Sequence, residues 1–358
     1  MFALQALVLY LFAVRHAPVV SPVEALLAIA IKLAMQLGIH QDSGQVSHPP
    51  TVFVTLAQKT EAEMRRRLWW QLLALDVQVA EYRDADPTLW EGMWTCKMPA
   101  NLDDVELDAL SDLPLPPPDG EIFNPALPVP QDPTTLDEFI DRYERRTDMS
   151  YALLRIEMSY AMRQFAFSEH FCMTNRYKYL TSEAERMKSL QRHMSSVDQR
   201  FLSFCTRNDM FSFFERNAVK LILSRHLMMV KKDREPKEVL HNTIMVLEAA
   251  ATMRKTHKKW SWSLRSYVEL DALELLWQCL GSTPVLASSG VMAESLSTTD
   301  LGASEEVRHA WVLGDIVFQR GEEDGLDRCY DDKWLRIKGF RDAALTLRAS
   351  QQQQDSVT

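Results

Sequence analysis

The stretch Glu61-Ala62-Glu63-Met64-Arg65-Arg66-Arg67-Leu68-Trp69-Trp70-Gln71-Leu72-Leu73-Ala74-Leu75-Asp76 leaves the chain few ways to fold. Leu68, Leu72, Leu75 and Val79 recur at spacings of four, three and four, which sets them on one face of an α-helix. Glu61 and Glu63 stand in its first turn, where the positive end of the helix dipole favours acids. Three consecutive arginines fan too widely round a helix to lie together opposite that stripe, so at least one leans inward. A guanidinium beneath a tryptophan pair needs a carboxylate or an aromatic face, because burying it alone is costly. Asp76, held between Leu75 and Val77, has the complementary need. The block therefore reads as an ion-pair and stacking network where several helices meet. A phosphate or DNA site is the weaker alternative, since no basic and aromatic groove pattern surrounds it.

With 358 residues, 46% of them hydrophobic, the chain can bury a large core. Only 11 glycines and few β-branched runs argue for an all-α fold, an irregular array of antiparallel helix hairpins. The formal net charge of −9 gives no general electrostatic basis for holding nucleic acid or an acidic membrane. Five dispersed cysteines, Cys96, Cys172, Cys205, Cys279 and Cys329, include no Cys-x-x-Cys. Such a set suits a reducing compartment and cannot build a zinc cluster. The apolar run Phe2 to Val14 has no basic residue before it and no small-residue cleavage motif after it. It is also shorter than the roughly 20 residues that span a bilayer, so a core helix is expected.

Ser21, Pro22 and Glu24 form a helix start, and Gly38 a helix stop. Leu26, Ile29, Ala30, Leu33 and Leu37 form the expected buried face of the helix between them. The central helix is expected over about Thr60 to Tyr82. The corner after it, Arg83-Asp84-Ala85-Asp86-Pro87, has no glycine and should be closed by Asp84 or Asp86. Prolines crowd residues 112–133, which predicts a long loop. Further helices are expected from about Leu136, Ser150, Ser182, Asn208, Asn242, Lys258, Glu305 and Trp334. Residues 350–358, with four glutamines, read as a disordered tail after one domain over 1–349.

The signature Glu63, Arg65, Arg66, Arg67, Trp69, Trp70 and Asp76 resembles that of the fungal-specific transcription factor domain, the regulatory region behind binuclear zinc-cluster DNA-binding modules. Two neighbouring blocks resemble it as well: Leu33 to Asp42, ending Leu-Gly-Ile-His-Gln-Asp, and Cys96 to Asp104, containing Pro-Ala-Asn-Leu-Asp-Asp. A later Trp260-Ser261-Trp262 block is similar in part, but Leu270-Asp271 replaces the family's Trp-His pair. The resemblance implies regulation of transcription of metabolic genes, in the nucleus with the cytoplasm as alternative. It implies partners such as a second copy, a full-length zinc-cluster factor, the transcription machinery and a small-molecule effector. The family's zinc belongs to an N-terminal cluster, so no cofactor is expected in this chain, nor direct DNA binding, nor a membrane.

No phosphate-binding glycine loop, His-Glu-x-x-His or nucleophile-elbow pattern occurs. Asp103, Asp104, Glu106 and Asp108 form an acidic cluster, and Asn208, Asp209 and Glu215 nearly make a second magnesium motif of the terpene-cyclase kind. Glu215 sits one residue short of that motif's position, about 100° away round a helix. No catalytic or metal residues are assigned, and the chain is not expected to be an enzyme. The alternative is a repurposed helical metabolite-binding protein or enzyme of fungal secondary metabolism, with Arg66, Trp69, Trp70 and Asp76 as the candidate effector pocket.

Overall fold

A computed structural model describes residues 1–14, 21–41, 56–109, 147–164, 166–175, 177, 182–197, 210–230, 236–257, 267–282, 298–323, 325 and 332–355. Outside them lie Asp42, the proline-rich stretch 112–133, the helix expected from Leu136, Asn208, Asp209, and the Trp260 and Trp262 pair. Among the described residues all regular structure is helical, so the all-α expectation holds. The chain divides into two compact units, Met1–Arg15 with Val20–Ser212, and His16–Val19 with Phe213–Thr358.

In the first unit, α1 (Phe2–Val14) and α2 (Ser21–Gln36) pack together, and both pack on α3 (Leu56–Tyr82). The short connection between α1 and α2 makes them an antiparallel hairpin. Gly38 ends α2 with φ of 67°, and Ile39 N–H reaches back to the Ala34 carbonyl at 2.9 Å, the C-terminal stop expected of a left-handed glycine. The buried face of α2 differs from the expected one. Val23, Leu27, Ala30, Ile31 and Ala34 are inside, while Ile29, Leu33 and Leu37 are 52%, 39% and 44% exposed. Because α2 is apolar nearly all round, its pattern offers two stripes one residue out of phase, and periodicity alone cannot choose between them.

The second half of α3 is buried on every side: Trp69, Trp70, Leu72, Leu73, Leu75 and Val77 all lie in the core. α4 (Asp104–Ala109), α5 (Ser150–Met162), α6 (Glu169–Thr174) and α7 (Glu183–Val197) complete the described part of this unit, α5 lying against α3. The corner after α3 uses both aspartates. Asp84 takes the left-handed conformation itself, at φ 50°, which aspartate tolerates better than most residues. Asp86 accepts from the Ser168 N–H at 2.9 Å and from its hydroxyl at 2.6 Å. Ser168 in turn caps α6 by accepting from Phe171 N–H at 3.0 Å.

The second unit contains α8 (Met210–Val230), α9 (Pro236–Thr256), α10 (Tyr267–Ser282), α11 (Thr298–Glu323) and α12 (Asp332–Asp355). The α10 helix is its axle, packed on α9, α11 and α12. Trp277 meets Trp311 edge-on with centroids 5.4 Å apart, and Phe318 stacks on Trp334 at 4.7 Å. Arg341 lies over Phe318, 4.4 Å from its centroid. The α12 helix runs through Asp355, into the stretch expected as a disordered tail. Glutamine is a good helix former, and the Ser350 hydroxyl donates back to the Thr346 carbonyl at 3.0 Å.

Gly314 sets how closely α11 approaches α10. A Cβ there would lie 2.8 Å from Leu276 Cδ2 and 2.9 Å from Trp277 Cζ2, inside van der Waals contact. Gly314→Ala is therefore expected to cost about 1–3 kcal/mol through overpacking. At Gly281 the nearest atom would be Ala344 Cβ at 3.5 Å, an ordinary contact, so Gly281→Ala is the tolerated control. Thermal unfolding of the two variants checks the contrast.

Candidate functional site

The three sequence blocks that resemble one family meet on α3. Glu63, 4% exposed, accepts from Arg67 Nε at 3.2 Å and from the Ala100 N–H at 3.0 Å. Arg67 also donates to Asp104 Oδ1 at 3.0 Å and to the Leu102 carbonyl at 3.4 Å. The Trp70 indole N–H donates to the Lys97 carbonyl at 2.8 Å. The segment from Lys97 to Asp104 is thus fastened along α3 by residues spaced three and four apart, which a helix places on one face. Asn101 Oδ1 accepts from the Ser150 hydroxyl at 3.3 Å and from the Thr147 hydroxyl, tying the same segment to the start of α5. On the other side of Trp69, the His40 carbonyl accepts from the N–H groups of Thr95 and Cys96 at 2.9 and 3.1 Å. The His40 ring lies 5.9 Å from Trp69, and burial lowers its pKa.

Of the three arginines, Arg65 stays near solvent and pairs with Glu61 at 3.1 Å. Two lean inward: Arg66, 3.8 Å from Glu63, and Arg67. None of these ion pairs involves Asp76. Its carboxylate, 3% exposed, accepts from the backbone N–H groups of Thr88 and Leu89 at 3.1 and 2.9 Å, and so holds the chain after the corner against the helix it has just left. The cation facing it is Arg163, at the end of α5 and wholly buried. Arg163 Nη2 donates to the Leu89 carbonyl at 2.7 Å, and its Nε lies 3.7 Å from Glu91. The guanidinium sits over Trp94 and Phe171, 5.5 and 5.0 Å from their centroids. Trp94 then touches Trp69 and Trp70 at 6.1 and 6.4 Å.

Sequence reasoning assembled Arg66, Trp69, Trp70 and Asp76 as a candidate wall. The structure buries both tryptophans completely and engages Asp76 with the Thr88 and Leu89 amides, with Arg66 on the Glu63 side of α3. Trp94 and Arg163 connect the two tryptophans to Asp76, and neither was singled out from sequence. Only the unmet need of a buried Asp76 pointed toward such a partner, with no spacing rule leading to α5.

Burial raises the pKa of Asp76 against the opposing pull of the Leu89 N–H and Arg163. It does the same for Glu63 against Arg67, and for Glu91 against Arg163 and the Tyr177 hydroxyl that donates to it. For each group the folded value exceeds the unfolded one, which lies near about 4. Between the two values the native state holds more protons, so stability falls as pH rises through that window. The chain is expected to resist denaturant better near pH 5 than near pH 7, and Glu91→Gln to flatten that slope. Urea midpoints followed by tryptophan fluorescence against pH check it.

The acidic cluster is committed to the fold. Asp103 Oδ1 accepts from Asp148 N–H at 2.8 Å, Glu106 accepts from Asp103 N–H at 3.0 Å, and Asp104 binds Arg67. Glu215 is buried. Among the described residues no three histidine, cysteine, aspartate or glutamate side chains stand together as metal ligands. Burial pushes the Cys279 thiol up to about 11 and raises that of Cys172, away from a reactive thiolate. Among the described residues no helix is long and apolar enough to cross a membrane.

Comparison with known proteins upholds the resemblance. The model of the fungal specific transcription factor domain matches residues 3–156. Transcriptional regulator AacuB of Aspergillus aculeatus is 28% identical over 343 residues, covering 89% of this chain and 41% of that protein. Pyriculol/pyriculariol biosynthesis cluster transcription factor 1 of Pyricularia oryzae is 34% identical over 109 residues, 29% of this chain and 13% of that protein. Aurofusarin cluster transcription factor aurR2 of Gibberella zeae is 30% identical over 118 residues, 32% of this chain and 16% of that protein. The chain thus spans less than half the length of these relatives. No solved structure matches it.

Proposed function

We propose that this chain, matched over residues 3–156 by the fungal specific transcription factor domain, is the regulatory part of a transcription regulator of metabolic genes. Secondary metabolism is the favoured setting, because one relative is named for the pyriculol/pyriculariol biosynthesis cluster and another for the aurofusarin cluster. The observation that carries the reading is the convergence of all three family-like blocks on α3, where the signature residues fasten the segment Lys97 to Asp104 to the helix. Side chains engaged in that way describe a scaffold rather than a reaction centre. With a net charge of −9, the chain influences DNA through a partner rather than by its own contacts. That partner is a second copy or a full-length zinc-cluster factor, acting in the nucleus on the transcription machinery.

A small effector is proposed to act at α3 around Arg66, Trp69, Trp70 and Asp76, reaching the buried tryptophans and Asp76 only as the packing over them opens. Movement there would be passed to the fastened segment and to α5. The enzyme reading stands second, since Asp103, Asp104 and Glu106 already serve structural contacts.

The test is a fusion of the chain to an unrelated DNA-binding domain, placed before a reporter gene in a filamentous fungus. Reporter output is expected to change at least several-fold relative to the DNA-binding domain alone. Output equal to that of the DNA-binding domain alone, with the fusion present in the nucleus, overturns the reading. So does sequence-specific, salt-resistant DNA binding by the purified chain.

A further inference from the structure

Trp69 and Trp70 stand side by side on α3, yet only one of them has a partner for its indole N–H. Trp70 donates to the Lys97 carbonyl at 2.8 Å, whereas the Trp69 N–H is buried with no acceptor among the described residues. The same holds for the Trp94 N–H and for Nε and Nη1 of Arg163. These donors belong to one assembly, because the Trp94 ring lies 6.1 Å from that of Trp69 and 5.5 Å from the Arg163 guanidinium. His40 Nδ1, on the ring beside Trp69, is unpaired as well, so it does not answer that indole. Trp69 and Arg163 are 0% exposed and Trp94 5%, and the residues that bury them are this chain's own. Buried donors are nearly always paired, and buried polar groups of this kind hold a polar occupant.

We propose that these donors receive the carbonyl oxygen of a small, neutral, flat ligand, a ketone or a lactone, and that this is the class of effector the chain takes. The proposal rests on the reading of α3 as an effector site and moves its centre from Arg66 to Trp94 and Arg163. The ligand accepts, because every unpaired group around Trp94 on this side donates. It is neutral, because the Arg163 cation already faces two carboxylates, Asp76 and Glu91, and a third negative charge would meet repulsion without a further cation. It is flat, because the groups round Arg163 are the rings of Trp94 and Phe171, with Trp69 behind, and rings stack best on a planar partner. Entry lifts the segment after the corner, which Asp76 holds to α3 through the Thr88 and Leu89 N–H groups.

The test follows the indole N–H resonances of the whole chain by NMR while three probes are titrated. Acetophenone is a flat neutral ketone, ethylbenzene has its shape without the oxygen, and benzoate adds a charge. Acetophenone is expected to bind about tenfold or more tighter than either, moving the Trp69 and Trp94 indole signals further than that of Trp70. Trp94→Phe and Trp69→Phe each keep a ring and remove a donor, so each should cut the preference for acetophenone over ethylbenzene at least about threefold. Trp70→Phe, whose donor is already engaged, should leave that preference unchanged. The readout is a ratio of two affinities, so a loss of stability in a variant does not mimic the effect. Equal affinity for acetophenone and ethylbenzene, tighter binding of benzoate, or a preference that survives both Trp69→Phe and Trp94→Phe overturns the proposal. So does acetophenone that shifts neither indole at about 1 mM, the result expected where buried water already supplies the acceptor. Ethylbenzene bound as tightly as acetophenone leaves α3 an effector site and removes the oxygen from it. The reporter fusion carries no added ligand, so regulation can hold where this binding fails, and the reverse.

Discussion

Asp76→Ala is expected to lower the unfolding free energy by about 3–5 kcal/mol, the cost of removing one partner from a buried charge arrangement. Two backbone donors, Thr88 N–H and Leu89 N–H, lose their acceptor at once, and a buried donor left unpaired costs about 1–3 kcal/mol. Arg163 loses a counter-charge while remaining wholly buried over Trp94 and Phe171. Glu91 still faces it at 3.7 Å, which keeps the loss within that range. Asp76→Asn retains one acceptor oxygen and should lose roughly half as much. Arg65→Ala removes an exposed pair with Glu61 and should change stability by less than about 1 kcal/mol. Denaturant unfolding of the three variants decides the matter, and an Asp76→Ala chain within about 1 kcal/mol of wild type would mean that the Asp76 carboxylate does not hold the corner.

Much of this was legible in the sequence because helix periodicity is local. The four-three-four stripe of α3, the start of α2 at Ser21 and its stop at Gly38, and the turn at Asp84 all follow from interactions within a few residues, whereas the partner of Asp86, Ser168, lies far along the chain. The inward lean of the arginines followed from geometry in the same way. Two kinds of fact were not legible. The first is phase: a helix apolar all round, like α2, carries no record of which side its neighbours cover, and the expected face Ile29, Leu33 and Leu37 is the open one. The second is distance: Asp76 announced a need for partners, yet Thr88 and Leu89 lie past the corner and Arg163 lies a helix away. Such pairings depend on how helices cross, which no spacing rule states.

An equally large effect is expected at a buried carboxylate of the second unit. Asp271 stands on α10 between Arg225 of α8, 3.1 Å away, and Lys333 of α12, which donates to its other oxygen. All three side chains are close to fully buried. Alanine at 271 removes the carboxylate that both cations touch and brings their like charges into unscreened proximity, at an expected cost of about 3–5 kcal/mol. Replacing the set together, as Asp271→Leu with Arg225→Met and Lys333→Met, removes the desolvation cost as well as the attraction. That triple variant is expected to return to within about 1 kcal/mol of wild type or above it. Urea unfolding of the single and triple variants tests both halves. If the single variant falls and the triple recovers, the triad contributes little net stability. Its role is then to fix the register of α8, α10 and α12, because an apolar contact tolerates sliding by a turn and a shared carboxylate does not. If the triple variant falls as far as the single, the ion triad is itself a net source of stability, and the desolvation argument fails at this site.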